Sequence, residues 1–151
     1  MSVQRAGLGD AAETFEILKE YFEAIDVVVR DELDGFEEYL TEPNGFWIAR
    51  EGPRVAGCIA FRALPEIEGA CEIKRMYVRP QFRQRGFANA LLEAVHEHAR
   101  RAGFRSIYLD TKDGLDVAIN FYERRGYERC ARYNDNPEAT IFMRRRVEAS
   151  G

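Results

Sequence analysis

The sequence predicts an α+β, or mixed α/β, fold in a single domain over residues 1–151. Three observations predict it. Apolar residues recur at three- and four-residue steps in separate stretches, the stripe of a half-buried helix. Short apolar runs bounded by turn residues lie between them, as strands do. The order is helices, strands, helix, strand, helix, strands, with no internal repeat, low-complexity linker or second domain.

The first 42 residues read as helical. "DAAETFEILKEYFEAI" places Phe15, Leu18, Tyr21, Phe22 and Ile25 on one stripe. Asp10 is a candidate N-cap, with Glu13 three residues on as in a capping box. "ELDGFEEYL" predicts a second helix through Leu33, Phe36 and Leu40, and "TEPNG" breaks the chain. "FWIAR" and "VAGCIAFRAL" predict two strands joined by the hairpin signal "EGPR". "CEIKRMYV" predicts the next strand, and its phase changes. Cys71 and Ile73 are apolar at odd positions, Met76 and Val78 at even ones. Either a bulge shifts the parity or the strand is buried on both faces. From Phe87 to Ala102 the pattern is helical, with Leu91, Val95 and Ala99 stepping by four, Ala88 and Ala102 extending the stripe, and Gly103 closing it. "RSIYLDT" predicts a strand. "DVAINFYERRG" predicts a helix with Val117, Phe121 and Tyr122 inward and Gly126 at its end. "YERCARY" and "ATIFMRRR" predict two last strands around the turn-rich "NDNPE".

Composition excludes several classes. Hydrophobic residues make up 46% and charged residues 32%, the balance of a soluble globular chain. No apolar window is long enough to span a bilayer, and acidic residues interrupt the N-terminus before a signal peptide could form. A net charge of -4 and a pI near 5.4 argue against nucleic-acid binding through bulk charge. "FMRRRVE" is a local basic cluster, read as the solvated edge of a strand. Cys58, Cys71 and Cys130 are widely spaced and odd in number, so buried thiols in a reducing cytoplasm are expected rather than disulfides or zinc. His96 and His98 lie two apart on a helix, share no face, and carry no metal signature.

The chemistry is concentrated in "VRPQFRQRGFANALLEA". Gly86 lets backbone come close to a ligand, Ala88 adds little bulk, and the first amides of the following helix lack intrahelical acceptors. With Arg83 and Arg85 beside them, they form a site suited to phosphate. No GxxxxGK[ST] or GxGxxG is present. Residues 83–88 read R-x-x-G-x-A, and this strand, loop and helix resembles the pyrophosphate loop of the GNAT superfamily of CoA-dependent N-acetyltransferases. "LDVAINFYERRGYE" resembles that superfamily's later A-x-x-F-Y-E-x-x-G-F/Y segment, and "SIYLDT" stands where its fifth strand does. Together these stretches cover residues 71–128.

The resemblance implies a mostly antiparallel central sheet with a splayed parallel strand pair and helices on both faces. It implies acetyl-CoA as acetyl donor, with no metal. Met76, Tyr77 and Val78 would meet the pantetheine arm through main-chain groups. Arg83, Gln84, Arg85, Gly86, Phe87, Ala88 and Asn89 would hold the pyrophosphate. Acyl transfer to an amine needs a base, an oxyanion partner and an acid for the leaving thiolate. Glu72 is the base candidate: residues 72 and 83 are eleven apart, the spacing of the catalytic glutamate in histone acetyltransferases of this superfamily. Desolvation on a central strand would raise its pKa. The alternative pairs it with Lys74 or Arg75 at the sheet surface. Tyr122 matches the family tyrosine that donates toward the coenzyme sulfur, with a core role as its alternative. The oxyanion partner is expected at a backbone N–H near Tyr77 or Val78. One departure is Leu115, which stands where many members carry asparagine. Asp110 is a second base candidate, with a capping or turn role near Thr111 preferred.

The acceptor is expected along residues 20–45 and "RYNDNPEAT", with Tyr21, Asp26, Glu32, Tyr133 and Asn134 as lining candidates. The function predicted is N-acetyl transfer to a primary amine in a ternary complex in the cytoplasm, with a small amine or amino acid favoured over a protein. No nucleic acid or membrane partner is expected, and exposed strand edges make a homodimer plausible. The competing readings are a silent CoA-binding sensor and a domain binding another nucleotide.

Overall fold

The computed structural model describes residues 1–24 and 35–148. Its first element corrects the all-helical reading of the N-terminus. Ser2–Arg5 is a strand, β1, paired antiparallel with β2 (Gly45–Glu51) from Ser2↔Arg50 to Arg5↔Trp47. Four residues are too few to display an alternation, and their partner lies some forty residues away, so local pattern carries no trace of the pairing. A 3-10 turn at Leu8–Asp10 leads into α1 (Ala11–Ala24). The expected capping box is replaced: the Asp10 carboxylate accepts the Gly7 N–H at 2.9 Å, and Glu13 pairs with Arg50. Of the second predicted helix, Phe36–Leu40 is a 3-10 turn, while Leu33 lies outside the described residues, as does Ile25 of the α1 stripe.

Seven strands hydrogen-bond in the order β1-β2-β3-β4-β5-β7-β6. Beyond β1 and β2 they are β3 (Arg54–Leu64), β4 (Ala70–Val78), β5 (Ser106–Thr111), β6 (Glu128–Cys130) and β7 (Ile141–Arg146). The β4–β5 pair is parallel, over Ala70↔Ser106 to Glu72↔Tyr108. The mixed, mostly antiparallel sheet is the one predicted. The helices after α1 are α2 (Phe87–Arg101) and α3 (Asp116–Glu123). The chain packs as two units, Met1–Ala63 with Ile73–His98 and Leu64–Glu72 with Ala99–Gly151.

In the first unit, Ile17, Leu18 and Phe22 of α1 pack with Phe46, Ile48, Cys58, Ala60 and Tyr77. Each large apolar side chain so buried contributes roughly 1.5–3 kcal/mol by leaving water. The β2–β3 hairpin closes at Glu51↔Arg54 as expected and shifts register between Ala49 and Arg50. The parity change in β4 has its cause here. Arg75 takes φ +58°, rare for a residue with a long side chain. Ala70 to Ile73 are buried in succession before it, so β4 is buried on both faces first and kinked afterwards. The Arg75 guanidinium lies 4.8 Å from the Phe22 ring, and its carbonyl accepts the Cys58 thiol at 3.3 Å.

In the second unit, β5 pairs antiparallel with β7 from Ser106↔Arg146 to Thr111↔Ile141, and β6 pairs with β7 over Glu128↔Arg144 to Cys130↔Phe142. Of the arginines of "FMRRR", Arg144 sits where β7 is paired on both sides, while Arg145 and Arg146 pair with β5 beyond the end of β6; Arg144 and Arg146 are exposed and Arg145 is half-buried. "YERCARY" yields only the three residues of β6, because the segment then leaves the sheet. Both helices end as predicted in Schellman motifs. Phe104 N–H reaches the Ala99 carbonyl (3.0 Å) and Tyr127 N–H the Tyr122 carbonyl (3.1 Å), with Gly103 and Gly126 left-handed between. Two predicted core positions are corrected. Val117 is 87% exposed, because α3 buries Ile119 and Tyr122 instead. Ala102 is exposed, because α2 has already ended. No helix among the described residues is long and apolar enough to cross a membrane.

Candidate active site

The loop before α2 is built as an anion cradle would be. A 3-10 turn at Pro80–Phe82 buries Phe82 under the loop, where its ring meets Phe87 at 5.5 Å. Gln84 (φ +61°) and Gly86 (φ +86°) are both left-handed, and such curled backbone forms anion-binding concavities. The first helical bond of α2 runs from Ala90 N–H to the Gly86 carbonyl at 3.1 Å. The amides from Phe87 to Asn89 precede it and carry the positive end of the helix dipole. Both arginines also make contacts within the protein. Arg83 Nε donates to the Val78 carbonyl at 2.9 Å, and Arg85 pairs with Glu51 while lying over the Phe82 and Phe87 rings. They brace the loop against the first unit. Of the three β4 residues expected at the coenzyme, Tyr77 turns its carbonyl toward Gly57 and packs its ring into the core, and Val78 gives its carbonyl to Arg83. Met76 is half-buried.

Glu72 sits in the second unit and is 1% exposed. It lies in the interior rather than at the sheet surface. Its Oε2 accepts the Tyr133 hydroxyl at 2.5 Å and the Asn134 side-chain amide at 3.1 Å. The same Asn134 nitrogen donates to Asp110 Oδ2 at 2.6 Å, and Asn136 donates to Asp110 Oδ1 at 3.3 Å. The capping or turn role preferred for Asp110 is thereby corrected: two loop amides take its carboxylate. Burial first, and the neighbouring Glu72 carboxylate second, push the Tyr133 phenol far up from its ordinary value, so it remains a donor. Its ring is held between Tyr108 (4.9 Å) and Phe142 (5.6 Å).

The loop carrying Tyr133 and Asn134 is itself built. Arg132 donates to the carbonyls of Asn134 (3.3 Å), Asn136 (3.1 Å) and Ala139 (3.0 Å) and lies over Phe142. Asn134 Oδ1 accepts the Asn136 N–H, and Asn136 Oδ1 accepts the Glu138 N–H. Sequence reading named Tyr133 and Asn134 as acceptor lining but missed Arg132 and Asn136. The paired asparagines of "NDNP" were the available signal, since asparagine side chains organise turns of this kind.

Tyr122 is 7% exposed, with its ring against Phe121 (5.3 Å) and Tyr127 (5.5 Å). Leu115 precedes α3 and is 43% exposed. Tyr21 of the acceptor candidates packs its ring 6.0 Å from Tyr77; Asp26 and Glu32 lie outside the described residues. The three cysteines are free thiols, and burial pushes those of Cys58 and Cys71 far up from the usual range. Among the described residues no group of three or more His, Cys, Asp or Glu could hold a metal ion.

Comparison with known proteins agrees with this geometry. Residues 11–127 match the acetyltransferase (GNAT) family. An uncharacterized N-acetyltransferase of Schizosaccharomyces pombe is 32% identical over 119 residues, 77% of this chain and 72% of that protein. Against several animal relatives the match spans about half of their length. A GNAT-family acetyltransferase of Staphylococcus aureus Mu50 superposes with a TM-score of 0.84 at 20% identity, covering 97% of this chain and 99% of that one. An N-acetylglutamate synthase of Neisseria gonorrhoeae, solved with coenzyme A and N-acetylglutamate, superposes with a TM-score of 0.78 at 18% identity, covering 97% of this chain and 35% of that one. A buried carboxylate on the strand that leads into a glycine-turned, helix-capped loop, matched along most of its length to one family, makes this chain a member of the GNAT acetyltransferases.

Proposed function

We propose that the protein transfers the acetyl group of acetyl-CoA to a primary amine by direct attack in a ternary complex. The observation that carries this reading is the loop of residues 83–89. Two left-handed residues and a helix start there gather backbone donors suited to a diphosphate. Family membership supports acetyl-CoA as donor, and the coenzyme bound by the gonococcal fold relative points the same way. In this reading the amides from Arg85 to Asn89 take the pyrophosphate, with Arg83, Gln84 and Arg85 beside them. Met76, Tyr77 and Val78 border the pantetheine arm. Glu72 removes a proton from the acceptor amine, its nitrogen bonds to the acetyl carbon, and the coenzyme thiolate leaves with a proton from Tyr122. A backbone N–H near Tyr77 or Val78 supports the oxyanion. The enclosed setting of Glu72 favours a small amine or amino acid over a protein.

The test is incubation with acetyl-CoA and a panel of amines, followed by thiol release and mass spectrometry. One or more amines should gain 42 Da (the mass of an acetyl group replacing hydrogen). Tyr122→Phe should cut kcat by about 10–100-fold with little change in coenzyme affinity, as for loss of an acid. Equal losses in both would return Tyr122 to a packing role. Coenzyme binding without acetylation of any amine would remove the transferase reading.

A further inference from the structure

We infer that Tyr133 and Asn134 are positioning residues that hold the Glu72 carboxylate and tie it to Asp110. This rests on the reading of Glu72 as the base. A carboxylate 1% exposed needs hydrogen-bond donors to remain buried. Tyr133 and Asn134, which supply two such donors, come from the β6–β7 segment rather than from the sheet that carries Glu72. Satisfying Glu72 alone would not require the second bond of Asn134. That one nitrogen bridges Glu72 Oε2 and Asp110 Oδ2, so a single amide ties the two carboxylates together. The amide is in turn fixed, because Arg132 clamps three carbonyls of the segment and Asn134 Oδ1 is engaged by Asn136 N–H. Sequence reading placed the acceptor along this segment. The segment that meets the acceptor would thus also aim the base. Ionisable groups that reach Glu72 within this unit include Tyr133, Asp110 through Asn134, the Cys71 thiol beside it, and Tyr108 opposite it on β5.

The experiment compares wild type with Glu72→Gln, Tyr133→Phe and Asn134→Leu. Turnover is followed as thiol release from acetyl-CoA in a mixture of glutamate, lysine, spermidine, tyramine and an alanine-terminated peptide. Tyr133→Phe and Asn134→Leu should each lower kcat about tenfold and leave the KM for acetyl-CoA unchanged. Unchanged kcat in both variants overturns the inference while leaving Glu72 as base. Full turnover in Glu72→Gln overturns the base reading instead. A second measurement needs no acceptor. The ultraviolet ionisation curve of Tyr133, taken as wild type minus Tyr133→Phe, is compared with the same difference in the Glu72→Gln background. Ionisation should begin at lower pH once Glu72 is neutral. A curve that does not move overturns the inference even when no amine in the mixture is acetylated.

Discussion

Gly86 stands at φ +86°, and only the methyl end of Met1, at 3.9 Å, would approach a Cβ added there. The position is strained for a side chain but not crowded. Gly86→Glu should therefore fold, with a cost of about 1 kcal/mol for the left-handed backbone. The new carboxylate would face the diphosphate, and like charges in contact cost several kcal/mol. Coenzyme affinity by calorimetry should fall roughly 100-fold or more. Retained affinity would take the loop out of the coenzyme site. The glycine, the base candidate and the tyrosine were readable as residues because motif spacing carries them. Their partners were not. Glu72 and Tyr133 are 61 positions apart, and no local pattern links them. Val117 shows the opposite error: a periodic apolar residue was assigned to the core, and a short helix turned it to solvent.

Among the elements, β3 and β4 meet closely at Gly57. A Cβ built there would lie 2.3 Å from the Tyr77 carbonyl oxygen and 3.1 Å from Val78 Cα. Both contacts are backbone, so neither can swing aside. Gly57→Ala should cost about 3 kcal/mol, near the top of the range for overpacking. Melting should show a fall of roughly 6–12 °C for a chain of this size. A loss under a degree would mean that β4 shifts freely at this point. The same stretch of β4 holds the left-handed Arg75, so a close approach on one side and a kink on the other set the path of residues 76–78. The sequence showed the kink as a change of parity, which is local. It could not show Gly57 as its neighbour, because a glycine inside an apolar strand run reads the same whether its face is open or closed. β1 escaped for a related reason, since its pairing with β2 is the entire cause of its being a strand.

Stability of the whole molecule carries a pH dependence through His98, whose ring lies 5.2 Å from Trp47 and 4.9 Å from Phe61. Desolvation first and Arg5 second lower its pKa below the ordinary imidazole value. The folded state thus resists a proton that the unfolded chain accepts near pH 6.5. Stability is kept above that pH and is lost as pH falls through it toward the lower folded value. The melting temperature of wild type should drop between about pH 7 and 5, and His98→Phe should flatten part of that drop. Identical slopes in the two proteins would remove His98 from the account. At this scale the division between chain and fold is plain. Periodicity, turn residues and the R-x-x-G-x-A and FYE segments were enough for the mixed α+β sheet, the glycine-ended helices and the family, because each is written in neighbouring residues. The Glu72–Asn134–Asp110 bridge, the bracing of Arg83 and Arg85, and the strand at Ser2–Arg5 came from folding. Each joins residues far apart in the chain, and hydrogen bonds between such residues leave no mark on the order of either segment.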